Sequence, residues 1–181
     1  MNVAEEFKVG AKTVKLVYDE DPESPRTWDN LSTMVCFHKR YELGDKDHGY
    51  NDKDYGSWAE VRAAIEKRED PAVILPLYMY DHSGITIRTT PFHCPWDSGQ
   101  IGWVFVTKKK LREEYKSKRV TKKMIEQATK NVLAEVEAYD DYLTGNVFGF
   151  VIEDAEGKEL DSCWGFYGLD YAREEAKGAA A

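Results

Sequence analysis

Ala72-Val73-Ile74-Leu75-Pro76-Leu77-Tyr78-Met79-Tyr80-Asp81-His82-Ser83-Gly84-Ile85-Thr86-Ile87-Arg88-Thr89 is the stretch that decides the fold. Ala72 to Tyr80 is continuously apolar but only strand-length, and Asp81-His82-Ser83-Gly84 carries the residue types that turn a chain. A second β-rich run, Ile85 to Thr89, follows at once, so the stretch predicts a hairpin and with it an antiparallel sheet. The run is also the longest apolar segment of the 181 residues, and Pro76 interrupts it, which excludes a membrane-crossing helix.

Outward from the hairpin, Pro91 to Gly99 reads as a loop and Ile101 to Val106 as the next strand. Upstream, Ser57-Trp58-Ala59-Glu60 is a capping box, so a helix is predicted from there to about Glu69. Between them and the N-terminus, Lys12 to Tyr18 and Thr33 to Phe37 are β-branched and aromatic enough to be strands. Tyr41 to Gly56, rich in Gly, Asp, Asn and Lys, has no periodicity and reads as a long loop, either functional or mobile. Downstream, Thr107 caps a short basic helix to about Tyr115. Thr121 caps a longer one to Leu143, whose Ile125, Ala128, Val132, Val136, Tyr139 and Leu143 recur at three- or four-residue steps. Gly145 ends it. Val147 to Glu153 and Glu159 to Phe166 form a second hairpin, and Asp170 to Lys177 a terminal helix.

Strands and helices do not alternate regularly, which predicts an α+β fold: a single domain over 1–181, mainly antiparallel sheet with helices packed on one face. Residues 1–11 and 177–181 read as frayed tails. The N-terminus, Met1-Asn2-Val3-Ala4-Glu5-Glu6-Phe7, is acidic where a secretory signal would be basic, which predicts a cytoplasmic protein. Three widely spaced cysteines, Cys36, Cys94 and Cys163, fit reduced thiols in such a compartment.

The formal net charge of −8 conceals a bipolar chain. Residues 1–106 carry 12 Lys/Arg against 18 Asp/Glu, residues 107–130 carry 10 against 3, and residues 131–181 carry 3 against 12. The basic segment, Lys108, Lys109, Lys110, Arg112, Lys116, Lys118, Arg119, Lys122 and Lys123, is a candidate phosphate-contacting surface for double-stranded DNA or RNA. Solubility alone is the competing explanation. The acidic residues Glu135, Glu137, Asp140, Asp141, Glu153, Asp154, Glu156 and Glu159 are candidates for pairing with a basic protein groove.

Catalytic and cofactor chemistry is thinly represented. Cys94, His82, His93 and Asp97, with Ser98 and Asp81, could furnish a thiol- or serine-dependent site. Both segments lie in turns, where such side chains commonly bond their own backbone, so no catalytic residue is assigned. Cys36, His38, His93 and Cys94 lack the short paired spacing of structural zinc, and Asp45, Asp47, Asp52 and Asp54 lack the offsets of a calcium loop. No phosphate-binding or dinucleotide glycine motif occurs, so no cofactor is expected. Trp103, Phe148-Gly149-Phe150 and Trp164-Gly165-Phe166 could stack bases, but aromatics beside glycines in strands are mostly packing devices.

Four blocks together resemble one family: Ser24-Pro25-Arg26-Thr27-Trp28-Asp29-Asn30-Leu31, Leu75 to Gly84, Cys94-Pro95-Trp96-Asp97-Ser98-Gly99-Gln100, and Asp161-Ser162-Cys163-Trp164-Gly165. The family is one of small proteins carried by bacteriophages, prophages and plasmids. Its members mostly lack an assigned function, and it includes an anti-CRISPR inhibitor of a type II effector nuclease. The resemblance implies counter-defence in the cytoplasm of a bacterial host: a protein that binds a guide-loaded type II nuclease without catalysis. The alternatives are a small enzyme at the Cys94 cluster and a DNA-binding accessory protein of a mobile element.

Overall fold

A computed structural model describes residues 2–181. In chain order the elements are β1 (Val3–Val9), β2 (Lys12–Tyr18), β3 (Thr33–Cys36), α1 (Trp58–Glu69), β4 (Pro71–Asp81), β5 (Ile85–Arg88), β6 (Ser98–Thr107), α2 (Lys108–Glu114), α3 (Lys122–Thr144), β7 (Val147–Glu153), β8 (Glu159–Tyr167) and α4 (Leu169–Ala180). The fold is α+β with antiparallel pairing throughout, as the hairpin signals predict. The strands do not gather into one sheet, however. They form two four-stranded sheets, ordered β1-β2-β7-β8 and β3-β6-β4-β5. The chain correspondingly divides into two compact units, the stretch up to Pro25 together with Ala138–Ala181, and Arg26–Glu137.

In the first unit, β2 and β7 pair with Leu16 opposite Phe150 and Val14 opposite Ile152. Alternation along the strands puts Val14, Leu16, Phe148, Phe150 and Ile152 on one face, where all five are buried. Onto that face α4 lays Ala172, Ala176 and Ala180, four residues apart and likewise buried. Alanine at each contact lets the helix axis approach the sheet closely, and the large side chains opposite fill the space. Lys12 Nζ donates to the Ala180 carbonyl at 2.7 Å, closing the helix C-terminus. Arg173 forks onto both oxygens of Glu5 at 2.7 to 3.1 Å and so ties the helix to β1. Val3–Val9 is thus a strand of the sheet and α4 runs on to Ala180 against it, which corrects the expectation of frayed tails at 1–11 and 177–181 for the described residues, Met1 lying outside them.

The outer strand β8 carries a bulge. Phe148 pairs with Phe166 and Phe150 with Cys163, so Trp164 and Gly165 together oppose Gly149. Gly165 takes φ +83°, and the Trp164 ring occupies the space where a Gly149 Cβ would project, 2.3 Å away. A bulge on an edge strand twists it away from straightforward pairing with another chain.

In the second unit, α1 begins as the capping box predicts. Ser57 Oγ accepts from the Glu60 amide at 3.3 Å, and Glu60 reaches back to the Gly56 amide at 2.8 Å. The helix buries Val61 and Ile65 with Val35, Trp103 and Phe105. Gly102 is required where β3 pairs with β6, because a Cβ there would lie 2.1 Å from the Val35 carbonyl oxygen. In α3, Met124, Ala128, Val132, Val136 and Tyr139 are buried, so the stripe is real with Met124 in the place expected of half-buried Ile125. Among the described residues no helix is long and apolar enough to cross a membrane.

Candidate partner-binding surfaces

The basic segment divides into paired and unpaired cations. Thr107 Oγ1 caps α2 through the Lys110 amide at 2.9 Å, and buried Leu111 anchors the helix. Lys108 then pairs with Asp70 at 2.6 Å and Lys110 with Asp29 at 3.3 Å, while Lys109 and Lys122 face Glu113 and Glu126 one turn along their helices. Arg112, Lys116, Lys118, Arg119 and Lys123 form no ion pair among the described residues. Lys116, Lys118, Arg119 and Lys123 are exposed. They surround the turn between α2 and α3, where Lys116 adopts φ 47° and Ser117 Oγ donates to the Arg119 carbonyl at 2.8 Å. The candidate phosphate contact is thereby reduced from nine residues to this turn.

The acidic set divides as well. Glu135 is spent inside its unit: its carboxylate accepts from the Leu31 amide at 2.7 Å and from the amide and hydroxyl of Ser32, with Arg26 at 3.6 Å. That corrects its assignment to a partner surface. Glu153 holds Lys15 at 2.7 Å, and Asp154 accepts from the amides of Glu156 and Lys158 to shape the β7–β8 turn. At the end of α3, Asp141 accepts from Asn146, and the Asp140 carbonyl accepts from Thr144. Glu137, Glu156 and Glu159 are exposed. Glu159 and Asp161 share the outer strand with exposed Leu160 and Trp164, which gives this edge acidic and apolar character together.

The Cys94 cluster is assembled only in part. Cys94 Sγ lies 3.7 Å from Asp97 Oδ2, and His82 Nδ1 lies 3.4 Å from the same oxygen. The carboxylate thus stands between imidazole and thiol, and Ser98 Oγ donates to the Cys94 carbonyl. The Cys94 thiol meets a carboxylate rather than the imidazole, and the Ser98 hydroxyl is spent on a backbone carbonyl, so among the described residues no nucleophile–histidine pair is formed by Cys94 with His82 or by Ser98. These contacts instead brace a loop whose tip carries Trp96, 91% exposed. Cys36 is buried and its thiol is pushed up to about 12 by desolvation and by Asp45. Among the described residues no group of three or more His, Cys, Asp or Glu could hold a metal.

Sequence reasoning passed over Arg26, whose side chain is only 5% exposed. Its Nε and Nη2 fork onto Asp45 at 2.8 and 3.0 Å, and Nη2 also donates to the Ser32 carbonyl at 2.9 Å. Asp45 in turn accepts from the Met34 amide at 2.9 Å, fixing the loop 41–56 at its start. Arg68 fixes the middle, donating to the carbonyls of Gly49 and His48 and lying 4.1 Å over the Tyr50 ring. Burial raises the Tyr50 hydroxyl to about 12, with Glu69 adding to it, and lowers His48. The loop expected to be functional or mobile is therefore heavily bonded, and it walls two cavities of about 480 and 260 Å³ that share Phe37 and Asp52. The rings of Trp103, Phe148 and Phe150 serve the two cores and Phe166 packs against the first, as the packing reading expected, whereas Trp164 is 47% exposed. Comparison with protein-family models, with curated proteins and with solved structures finds no match to the chain.

Proposed function

We propose that the chain is a non-catalytic, stoichiometric inhibitor of a type II RNA-guided effector nuclease. The observation that carries the reading is the separation of surface charge. Four exposed cations without an ion pair among the described residues, Lys116, Lys118, Arg119 and Lys123, share one turn, whereas Glu156, Glu159 and Asp161 crowd the β7–β8 hairpin beside exposed Leu160 and Trp164. A guide-loaded nuclease offers both complements: a basic nucleic-acid channel for the acidic hairpin, and guide or target phosphates for the cationic turn. The Cys94 thiol facing Asp97 rather than an imidazole, and the Ser98 hydroxyl spent on the Cys94 carbonyl, support binding over turnover.

Titration of the purified chain into a guide-loaded type II nuclease tests the reading. Loss of target cleavage near one-to-one, with co-elution on size exclusion and no effect of Cys94→Ala, is expected. Full cleavage with no co-elution rejects it. Inhibition well below stoichiometry that Cys94→Ala abolishes would establish the enzyme reading instead. The unpaired cations also favour a second reading, a DNA-binding accessory protein. That reading predicts salt-sensitive duplex binding without any nuclease, and Lys116→Glu with Arg119→Glu should lower the salt slope by about 2.

A further inference from the structure

The smaller cavity of the second unit, about 260 Å³, is lined by the rings of Phe37, Tyr55 and Trp58, with Asp52 among the lining groups and Val61 contributed by α1. It falls below the roughly 300–1,000 Å³ of sites that enclose whole small ligands, and so suits one side chain. Its walls are fixed. Phe37 and Trp58 stack with ring centroids 5.7 Å apart, His48 meets Phe37 edge-on at 5.7 Å, and the Trp58 carbonyl holds Trp103 Nε1 at 3.0 Å. Phe37 is also part of the second cavity, which brings Glu42, Asp45 and Asp52 to the same region against one cation, Lys46. Asp45 is committed to Arg26, whereas Asp52 and Glu42 have no ion pair among the described residues.

Aromatic faces beside a free carboxylate select a cation, and the acidic rim disfavours phosphate-bearing ligands. The protein uses the same chemistry inside itself. Four arginines lie over rings: Arg68 on Tyr50 at 4.1 Å, Arg88 on Phe92 at 3.9 Å, and Arg40 on Tyr41 and Arg62 on Trp103 at 5.4 Å each. Phe37, Tyr55 and Trp58 carry no such cation among the described residues. A guanidinium is the better match than an ammonium, because it is planar, weakly hydrated and able to fork onto a carboxylate while stacking.

We propose that the cleft between Phe37, Tyr55 and Trp58 is a receptor for an arginine side chain of a partner protein, with Asp52 accepting the guanidinium N–H groups. The inference deepens the inhibitor reading by naming how a basic nuclease surface would be gripped, and it relies on that reading only for the partner's identity.

Amide NMR of the isolated chain with N-acetyl-arginine amide tests the cleft without any nuclease, so failure here and failure of the inhibitor reading are separate results. Saturable shifts at Phe37 and across 52–61 are expected, with a dissociation constant of roughly millimolar size. The neutral isostere N-acetyl-citrulline amide should bind about tenfold more weakly, and Asp52→Asn and Trp58→Phe each about fivefold. Asp52 is exposed, so its variant keeps the fold. No saturable shift, or equal binding of the citrulline compound, overturns the proposal. So does a preference for adenosine or guanosine monophosphate over the arginine probe.

Discussion

The two units solve the same packing problem by different means. In the first, hairpin turns between β1 and β2 and between β7 and β8 are short, and one alanine-rich helix seals one sheet face. In the second, the sheet is bordered by long segments, 37–56 and 89–97, and those segments hold the cavities and the exposed Trp96. Order there comes from polar bonds: Arg26 on Asp45, Arg68 on Gly49 and His48, Arg40 on Asp81. Apolar burial tolerates a lost contact by settling, but a buried ion network fails when one member is removed, because the remaining charges stay desolvated. The unit with more surface chemistry therefore depends on fewer, more critical residues.

Removing the hub should show that dependence most strongly. Arg26→Ala removes the cation that both Asp45 and Glu135 contact, and is expected to cost about 3–5 kcal/mol in urea unfolding. The loop 41–56 should then lose its amide exchange protection while β1, β2, β7 and β8 keep theirs.

A paired glycine experiment sharpens the contrast. Gly102→Ala forces a methyl against the Val35 backbone and is expected to destabilise by about 3 kcal/mol. Gly149→Ala meets chiefly the Trp164 ring, which can swing outward because that side chain is already half exposed, with the Cys163 carbonyl oxygen 2.9 Å away as a milder backbone contact. Its expected cost is about 1 kcal/mol, with a change in Trp164 fluorescence. Equal costs would mean that the bulge in β8 is as rigid as the β3–β6 pairing.

The acid limb of stability offers a smaller effect, located in the first unit. The Arg173 fork holds the Glu5 carboxyl below its usual value of 4.5. A carboxyl with a depressed folded value stabilises the fold above its unfolded value and loses that contribution as pH falls through the folded one. Wild type should therefore lose stability below about pH 4.5 with a steeper slope than Arg173→Ala, and the two curves should converge in stronger acid. Parallel curves would show the fork to be energetically idle. Trp96→Ala should change stability least, within about 0.5 kcal/mol, because the ring buries little. Should the proposed inhibition be observed, a much larger loss of it than of stability in Trp96→Ala would make Trp96 an anchor.

Much of this architecture was legible in local chemistry. The Ser57 and Thr107 caps, the α3 stripe and both hairpins depend on neighbours a few residues apart, and each lies where its pattern puts it except that Met124 takes the place of Ile125 in the stripe. What escaped depends on distant partners. Val3 to Val9 alternates, but Glu5 and Glu6 disguise it as a polar tail until Arg173, 168 positions away, neutralises Glu5. Ala176 and Ala180 resemble a frayed end because alanine carries so little signal, although smallness is what the packing uses. Glu135 looks like any helical surface acid, and only the return of Leu31 and Ser32 to it reveals an interior role. The cationic turn was legible as a cluster, but which lysines are neutralised depended on Asp29 and Asp70.

The division of the chain also fixes a sequence of events during synthesis. Arg26–Glu137 is one continuous stretch lodged between the two parts of the other unit. A ribosome delivers it whole before Val147 to Ala180 have been made, so β3, β6, β4 and β5 can assemble co-translationally. Meanwhile β2 emerges early with one edge unmatched, since β7, its neighbour in the sheet, is translated some 130 residues later. The nascent β1–β2 hairpin thus spends most of elongation as an open template, with Lys12 and Lys15 on the waiting strand β2 discouraging association with other nascent chains until β7 arrives.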